Sequence, residues 1–263
     1  MAHDYHLHTP LCKHAEGHPR EYAATATRLG MSEIGVSDHS PMQDHFDDWR
    51  MEWEEFPRYL EMVAEAQAEY PNLPIRLGLE VDYLENGEKW IEELATKADF
   101  DYFIGSVHYI APGWDVDNPK YISRFTEGSV EDIWALYWRL YEKAIRSRLF
   151  DFVGHPDLPK KFGHRPSGDL RRFYEPVVQA LVDTGIAFEI NTAGLRKDVK
   201  EMYPARAFLE LARSAGVPLL INSDAHAPSE VGADFDKATA LAREVGYTET
   251  LRFEKRRPIK VPL

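Results

Sequence analysis

Four histidines lie among the first fourteen residues, and the spacing of two of them is typical of a metal site. His6 and His8 are two positions apart, so on an extended segment both imidazoles point to one face, with Cα atoms roughly 6 to 7 Å apart. Pro10 ends this predicted strand, and the turn after it can bring His14 to the same side. A purification-tag remnant is the alternative, because two histidines at this spacing are a weak signal alone.

Further residues that could bind a metal follow apolar segments with the character of buried strands, namely His39, Glu80, His108, His155, Asp224 and His226. Any one of them could be a hydrogen-bonded side chain at a strand end. With the three N-terminal histidines they give nine candidate ligands, which favours two or three metal ions that share a bridging carboxylate. Imidazole and carboxylate donors suit Zn, Mn or Fe better than Ca or Mg.

The hydrophobic pattern predicts seven strands that alternate with helices. After the opening strand, the others are predicted at residues 33–38, 75–81, 103–107, 152–155, 185–191 and 217–224. Helices are predicted at 19–29, 88–97, 204–215 and 235–245, along the stripe Leu60, Val63, Ala64 and Ala68, after a capping signal at Ser129, and around Pro176. The charged tail, 251–263, is predicted to be a solvated surface segment.

This alternation predicts an α/β fold with a mostly parallel sheet, and the length fits a closed (β/α) barrel of about 250 residues. An open, doubly wound sheet is the alternative. The candidate ligands fall at the C-terminal ends of predicted strands, and this end is the active-site face of such barrels.

Composition narrows the range of partners. A net charge of -13 argues against a main surface for nucleic acid or anionic lipid, because both require a basic footprint. The uncharged stretch 103–114 is far shorter than the ~20 apolar residues of a membrane span, and the N-terminus is unlike a signal peptide. Cys12 is the only cysteine, which suits a reducing cytoplasm, and we expect it to be a buried side chain rather than a ligand.

Several short motifs occur in a characteristic order along almost the whole chain. They are HxH with His14, SDH at 37–39, GLE at 78–80, GSVH at 105–108, GHPDL at 154–158, INTAGLRK at 190–197 and NSDAH at 222–226. In this order they resemble the PHP (polymerase and histidinol phosphatase) family. Within that family, the chain is most similar to the monofunctional histidinol-phosphate phosphatases.

The resemblance implies one PHP domain over residues 1–263, folded as a distorted (β/α)7 TIM-like barrel around three divalent metal ions. It also implies that His6, His8, Glu80 and Asp224 hold one ion, and that Glu80 bridges to a second ion held by His108 and His155. The third ion would be held by His14, His39 and His226. The implied reaction is hydrolysis of L-histidinol phosphate to L-histidinol and phosphate in histidine biosynthesis.

The candidate ligands support phosphate-ester hydrolysis independently of the family. Metal ions ~3.5 to 4 Å apart can share a hydroxide with a pKa near ~7, which would attack phosphorus in line. Arg196 is the preferred phosphate-binding and catalytic cation, and the resemblance adds Lys160 or Lys161, while Arg165 and Lys197 are weaker candidates. A metal-bound water, Asp224 or His226 would protonate the leaving alkoxide.

The substrate's ammonium group requires an acidic partner, for which the chain offers Asp44, Asp47, Asp115 and Asp117. Three rival functions stay open: another small-molecule phosphomonoesterase, a PHP phosphodiesterase or exonuclease, and a metal-buffering or metal-sensing module. The acidic balance counts against nucleic-acid ends as substrates, and cations near the cluster count against metal storage. The sequence does not define the oligomeric state.

Overall fold

The computed structural model describes residues 2–263. Its strands are β1 (His3–Asp4), β2 (Glu33–Val36), β3 (Ile75–Asp82), β4 (Tyr102–Ser106), β5 (Tyr109–Ala111), β6 (Trp114–Asp115), β7 (Phe152–Val153), β8 (Ala187–Asn191), β9 (Leu219–Asn222), β10 (Glu249–Glu254) and β11 (Arg257–Pro262). Its α-helices are α1 (Pro19–Arg28), α2 (Phe56–Glu69), α3 (Glu88–Leu94), α4 (Arg124–Glu127), α5 (Val130–Ser147), α6 (Arg171–Thr184), α7 (Arg206–Ser214) and α8 (Phe235–Val245).

Seven parallel strands form the central sheet in the order β1-β2-β3-β4-β7-β8-β9. A parallel bridge between Leu7 and Ala225 joins the two edges, with the His8 N–H donating to the Ala225 carbonyl at 3.0 Å. The sheet is therefore closed into a barrel by few hydrogen bonds. The predicted distorted (β/α)7 barrel is confirmed, and the open doubly wound sheet is excluded.

Local signals set the ends of the helices. His18 and Glu21 form a reciprocal capping box at the start of α1, and the Ser129 hydroxyl accepts from the backbone N–H of Asp132 at the start of α5. Pro176 lies inside α6, as predicted.

The stripe predicted for α2 was confirmed at Val63 and wrong at Ala64 and Ala68. The buried face consists of Tyr59, Met62, Val63 and Ala66, whereas Leu60 is half-buried and Ala64 and Ala68 are exposed. Tyr59 fixes this face of α2 against β2 and β3, because its hydroxyl donates to the carbonyls of Val36 and Gly78 at 2.9 and 2.6 Å.

The C-terminal hairpin covers the end of the barrel opposite the candidate ligands. Residues 251–263, predicted as a solvated charged segment, contribute to the antiparallel strands β10 and β11. Leu251 and Phe253 are buried against Tyr5, Tyr102 and Phe152, while Lys255, Arg257 and Lys260 are exposed. The prediction considered charge alone and missed the two apolar residues that face the barrel.

Side chains alternate along the strands as a barrel requires. On β4, Tyr102 and Ile104 belong to the inner cluster, whereas Phe103 packs outward beneath the helices. No helix in the range 2–263 has the length and apolar character to cross a bilayer.

Candidate metal centre

Glu80 lies at the centre of the candidate site and is almost fully buried. Its Oε2 is 2.9 Å from His39 Nδ1 and 3.3 Å from His6 Nε2. Its Oε1 is 2.9 Å from His155 Nε2 and 3.6 Å from His108 Nε2. His8 Nε2 also lies 3.7 Å from Oε2, so one carboxylate faces five imidazoles that come from four different strand ends.

Asp224 completes the inner part of the cluster from the loop after β9. Its Oδ1 is 3.2 Å from His8 Nε2 and 3.7 Å from His6 Nε2, and its Oδ2 accepts from Asn191 Nδ2 at 3.1 Å. Asp224 has φ of 52°, in the left-handed region that costs a residue with a Cβ about 1 to 2 kcal/mol. This conformation turns the carboxylate toward β1 directly after the strand ends.

The outer part of the cluster consists of imidazoles near the mouth. His226 stacks on His8 with ring centroids 4.0 Å apart, and its Nε2 is 3.1 Å from His14 Nε2. Donor atoms lie within 4.8 Å of one another in three sets that involve predicted ligands alone: His6, His8 and Glu80; His39, Glu80 and His108; and His8, His39 and His226. His39 belongs to two of these sets, whereas the family pattern places it with the third ion.

Three buried carboxylates, which we call the backing carboxylates, accept from the far nitrogens of candidate ligands. Glu189 lies 3.1 Å from His6 Nδ1, Asp82 lies 2.9 Å from His108 Nδ1, and Asp38 lies 3.3 Å from His8 Nδ1. Such partners fix the orientation of a ligating imidazole and raise its basicity. Sequence reasoning missed all three, although Asp38 and Asp82 lie within two residues of predicted ligands.

The pKa shifts follow burial and neighbouring charge. Burial alone would lower the pKa of His108, but Asp82 and Glu80 raise it to about 10. Burial lowers the pKa of His39 to about 4 despite Glu80. Burial would raise the pKa values of Glu80 and Asp224, but the surrounding histidines hold both well below the usual range.

The donor set fits divalent metal ions. Within residues 2–263, the ion-pair partners of Glu80 and Asp224 are histidines, and no lysine or arginine neutralises either carboxylate. His6 Nε2, His39 Nδ1 and Glu80 Oε2 are buried without a hydrogen bond. Buried nitrogen and carboxylate ligand atoms that converge in this way without a hydrogen bond are suited to Zn, Mn or Fe.

A cavity of about 400 Å³ opens onto the cluster. Its wall includes seven of the nine candidate ligands, all but His6 and His8, together with Trp49, Asp115, Asp117, Lys161 and Lys197. Lys161 Nζ is 2.7 Å from Asp117 Oδ2, and burial together with the adjacent Asp117 raises the pKa of Asp115 to about 9. The cavity therefore places cations and carboxyl groups beside the candidate metal centre.

The other predicted phosphate-binding cations lie elsewhere. Lys160 is fully buried, with its ammonium 2.7 Å from the Met202 carbonyl and 3.1 Å from Asp157. Arg165 pairs with Glu201 at the surface. Arg196 Nη2 donates to the Ser223 carbonyl at 2.7 Å. Of these cations in the described chain, none contributes to the cavity wall.

The four acidic residues predicted to bind the substrate's ammonium group differ in whether they line the cavity. Asp44 is exposed, and Asp47 is engaged by Arg50 at 2.7 Å and by the Tyr109 hydroxyl at 2.8 Å. Asp115 and Asp117 line the cavity.

A barrel whose strand ends carry converging imidazoles and carboxylates beside an open cavity is typical of metal-dependent hydrolases. The chain belongs to the PHP domain family, whose profile matches residues 4–193.

The relatives of the chain include a probable histidinol-phosphatase of Deinococcus radiodurans, which is 42% identical over 97% of this chain and 98% of its own length. The histidinol-phosphatase of Bacillus subtilis is 29% identical over 89% of this chain and 96% of its own length. The histidinol phosphate phosphatase of Lactococcus lactis, solved with zinc, L-histidinol and phosphate, has a TM-score of 0.84 at 21% identity, covering 98% of both chains.

Proposed function

We propose that this protein hydrolyses L-histidinol phosphate to L-histidinol and phosphate with three divalent metal ions, Mn, Fe or Zn, as one catalytic domain in the cytoplasm. The observation that carries the proposal is a cluster of seven histidines, Glu80 and Asp224 beside an open cavity. The wall of this cavity includes five of these histidines, both carboxylates, two lysines and two further carboxyl groups. Relatives that share this chain's length and are histidinol-phosphatases support the choice of substrate.

The residues that would hold the ions are His6, His8, His14, His39, Glu80, His108, His155, Asp224 and His226. When bound, the ions supply Lewis acidity and lower the pKa of water toward ~7, which makes a nucleophile available at neutral pH. The backing carboxylates hold the imidazoles in the tautomer that leaves the inward nitrogen free.

Lys161 and Lys197 are the cations placed to neutralise phosphoryl oxygens as negative charge develops. Both line the cavity, and Lys161 is fixed by its 2.7 Å contact with Asp117. Fixed cations beside the reacting group stabilise the transition state more than mobile surface charges do. Lys160 does not share this role, because it is fully buried against Asp157 and the Met202 carbonyl, away from the cavity wall that residues 2–263 form.

Hydrolysis forms a bond from water oxygen to phosphorus, breaks the ester P–O bond and moves a proton from water to the leaving oxygen. Asp224 and His226 are placed to carry this proton, because both line the cavity beside the cluster. The surrounding histidines hold the pKa of Asp224 well below its usual range, so the ionised carboxylate is a weak base and a suitable metal ligand. The pKa of His226 is also lowered well below its usual value by burial and by His8, so its neutral imidazole is suited to binding metal.

Asp115 and Asp117 are the groups that would bind the ammonium and imidazole of histidinol. Both line the cavity, as does the Trp49 ring, whose centroid lies 4.6 and 5.6 Å from the ring centroids of His39 and His108. A positively charged substrate favours the ionised form of both carboxyl groups.

Phosphate release from protein reconstituted separately with Mn, Fe or Zn tests the proposal. We expect kcat/KM for L-histidinol phosphate to exceed that for an aryl phosphate and a dinucleotide by at least about tenfold. Asp115→Asn should raise KM for histidinol phosphate and leave the aryl phosphate unaffected, while Asp44→Asn, at an exposed position, serves as the control. Faster cleavage of the dinucleotide would contradict the proposed substrate.

A further inference from the structure

The loop that carries Asp224 and His226 is tied from the solvent side by an arginine and a glutamate. Arg196 follows β8 and donates from Nη2 to the carbonyls of Ser223 and Asp224 at 2.7 and 3.3 Å. Its Nε is 3.1 Å from Glu230 Oε1. Glu230 Oε2 in turn accepts from the backbone N–H of His226 at 2.9 Å. One ion pair thus reaches both candidate ligands through their backbone.

The inner side of this loop is held by other groups. Asp4 accepts from the backbone N–H of Ser223 at 3.0 Å, and the Ala225 N–H donates to the His6 carbonyl at 3.0 Å. These contacts fix Ser223 and Ala225 but do not reach the backbone N–H of His226, which Glu230 binds. The Arg196–Glu230 pair therefore supplies the link between the left-handed turn at Asp224 and the imidazole two residues later.

We infer that Arg196 is a positioning residue that, with Glu230, sets the geometry of Asp224 and His226 and so the affinity for the metal ion nearest the mouth. The inference rests on the metal centre of the proposed function. It replaces the phosphate-binding role predicted for Arg196, because Nε and Nη2 are engaged by protein oxygens. The remaining nitrogen, Nη1, is shielded from solvent, and within residues 2–263 the side chain is outside the cavity wall.

Measurements of metal affinity distinguish a positioning role of Arg196 from a phosphate-binding role. Arg196→Gln and Glu230→Ala are compared with wild type by competition with a chromophoric chelator, followed by elemental analysis of the bound metal. We expect the affinity of the weakest-bound ion to fall about 10- to 100-fold in both variants. Such losses are typical when a residue that hydrogen-bonds to a metal ligand is replaced. At saturating metal, the inhibition constant of inorganic phosphate should be unchanged.

Arg213→Gln is the matched control, because Arg213 also donates to a backbone carbonyl, that of Gly246 at 2.8 Å, far from the cavity. If Arg196→Gln fails to fold, Glu230→Gln keeps an acceptor for His226 and removes only the ion pair. Wild-type metal affinity in both the Arg196 and Glu230 variants would overturn the inference, whether or not phosphate inhibition weakens. Wild-type protein that binds metal and shows the expected losses, yet leaves histidinol phosphate intact, would refute the proposed substrate alone.

Discussion

Replacement of Glu189 by glutamine tests whether the backing carboxylates control metal binding. Glu189 Oε1 accepts from the His155 N–H and from Asn191 Nδ2, both at 2.8 Å, and Oε2 accepts from Asn222 Nδ2 at 2.8 Å. His6 Nδ1 lies 3.1 Å from both oxygens. Every position around this carboxylate is a donor, so the amide nitrogen of glutamine must face another N–H whichever way it turns.

The magnitude follows from these contacts. One buried donor left without an acceptor costs about 1 to 3 kcal/mol of unfolding free energy in the metal-free protein. The loss of negative charge behind His6 also lowers the basicity of its inward nitrogen. Removal of such partners lowers metal affinity about 10- to 100-fold, equivalent to about 1.4 to 2.8 kcal/mol. We therefore expect Glu189→Gln to be less stable and to release metal to a chelator at correspondingly lower concentration.

The assay is chelator competition on wild type and variant, with urea unfolding of the metal-free proteins. Glu33→Gln is the control, because Glu33 is another buried carboxylate, bound by Arg76 and Arg252 at 3.2 and 3.3 Å, on the side of the barrel covered by the hairpin. It should lose stability without losing metal. A competition curve for Glu189→Gln that matches wild type, or an equal shift in Glu33→Gln, would refute the reasoning.

Three further predictions concern stability and binding. Burial raises the pKa of Asp151 to about 6 despite Arg256, so the contribution of Asp151 to stability is greatest below pH 4 and falls as the pH rises to 6. The free energy of unfolding of Asp151→Asn, measured in urea, should therefore exceed that of wild type by an amount that grows to about 3 kcal/mol between pH 4 and 7. Gly78→Ala should lose about 1 to 3 kcal/mol, because its Cβ would lie 2.4 Å from the Tyr102 ring; an unchanged midpoint in denaturant would contradict this. Lys161→Ala should weaken inhibition by inorganic phosphate about tenfold or more with metal content unchanged, and equal inhibition would remove Lys161 from the phosphate site.

The sequence predicted the barrel because strand and helix periods alternate clearly, and because parallel strands place their C-terminal ends on one face. This reasoning predicts that His39, His108 and His155 lie at one face, and in the structure all three contact Glu80. A residue at the C-terminal end of a parallel strand can be assigned to that face from its position alone, without knowing which way its side chain points.

The other features of the site could not be predicted, because they depend on the direction in which each side chain points. Lys160 and Lys161 are neighbours in sequence, yet one ammonium is buried against Asp157 and the other lines the cavity. Glu189 looked like an ordinary strand residue, because its role depends on donors from three other segments. The hairpin β5–β6 (109–111 and 114–115) was also missed, because strands of two or three residues carry almost no periodic signal.

Closure of the barrel has a consequence for the order of events during folding. His6 and His8 leave the ribosome more than two hundred residues before Asp224 and His226. The backbone N–H of Tyr5 donates to Asn222 Oδ1 across 217 positions. Contacts of such long range form slowly, because a long loop must be closed before they contribute. The nascent chain therefore cannot assemble the complete centre until β9 docks beside β1. The rate of metal uptake during refolding would therefore report the rate at which β9 docks beside β1.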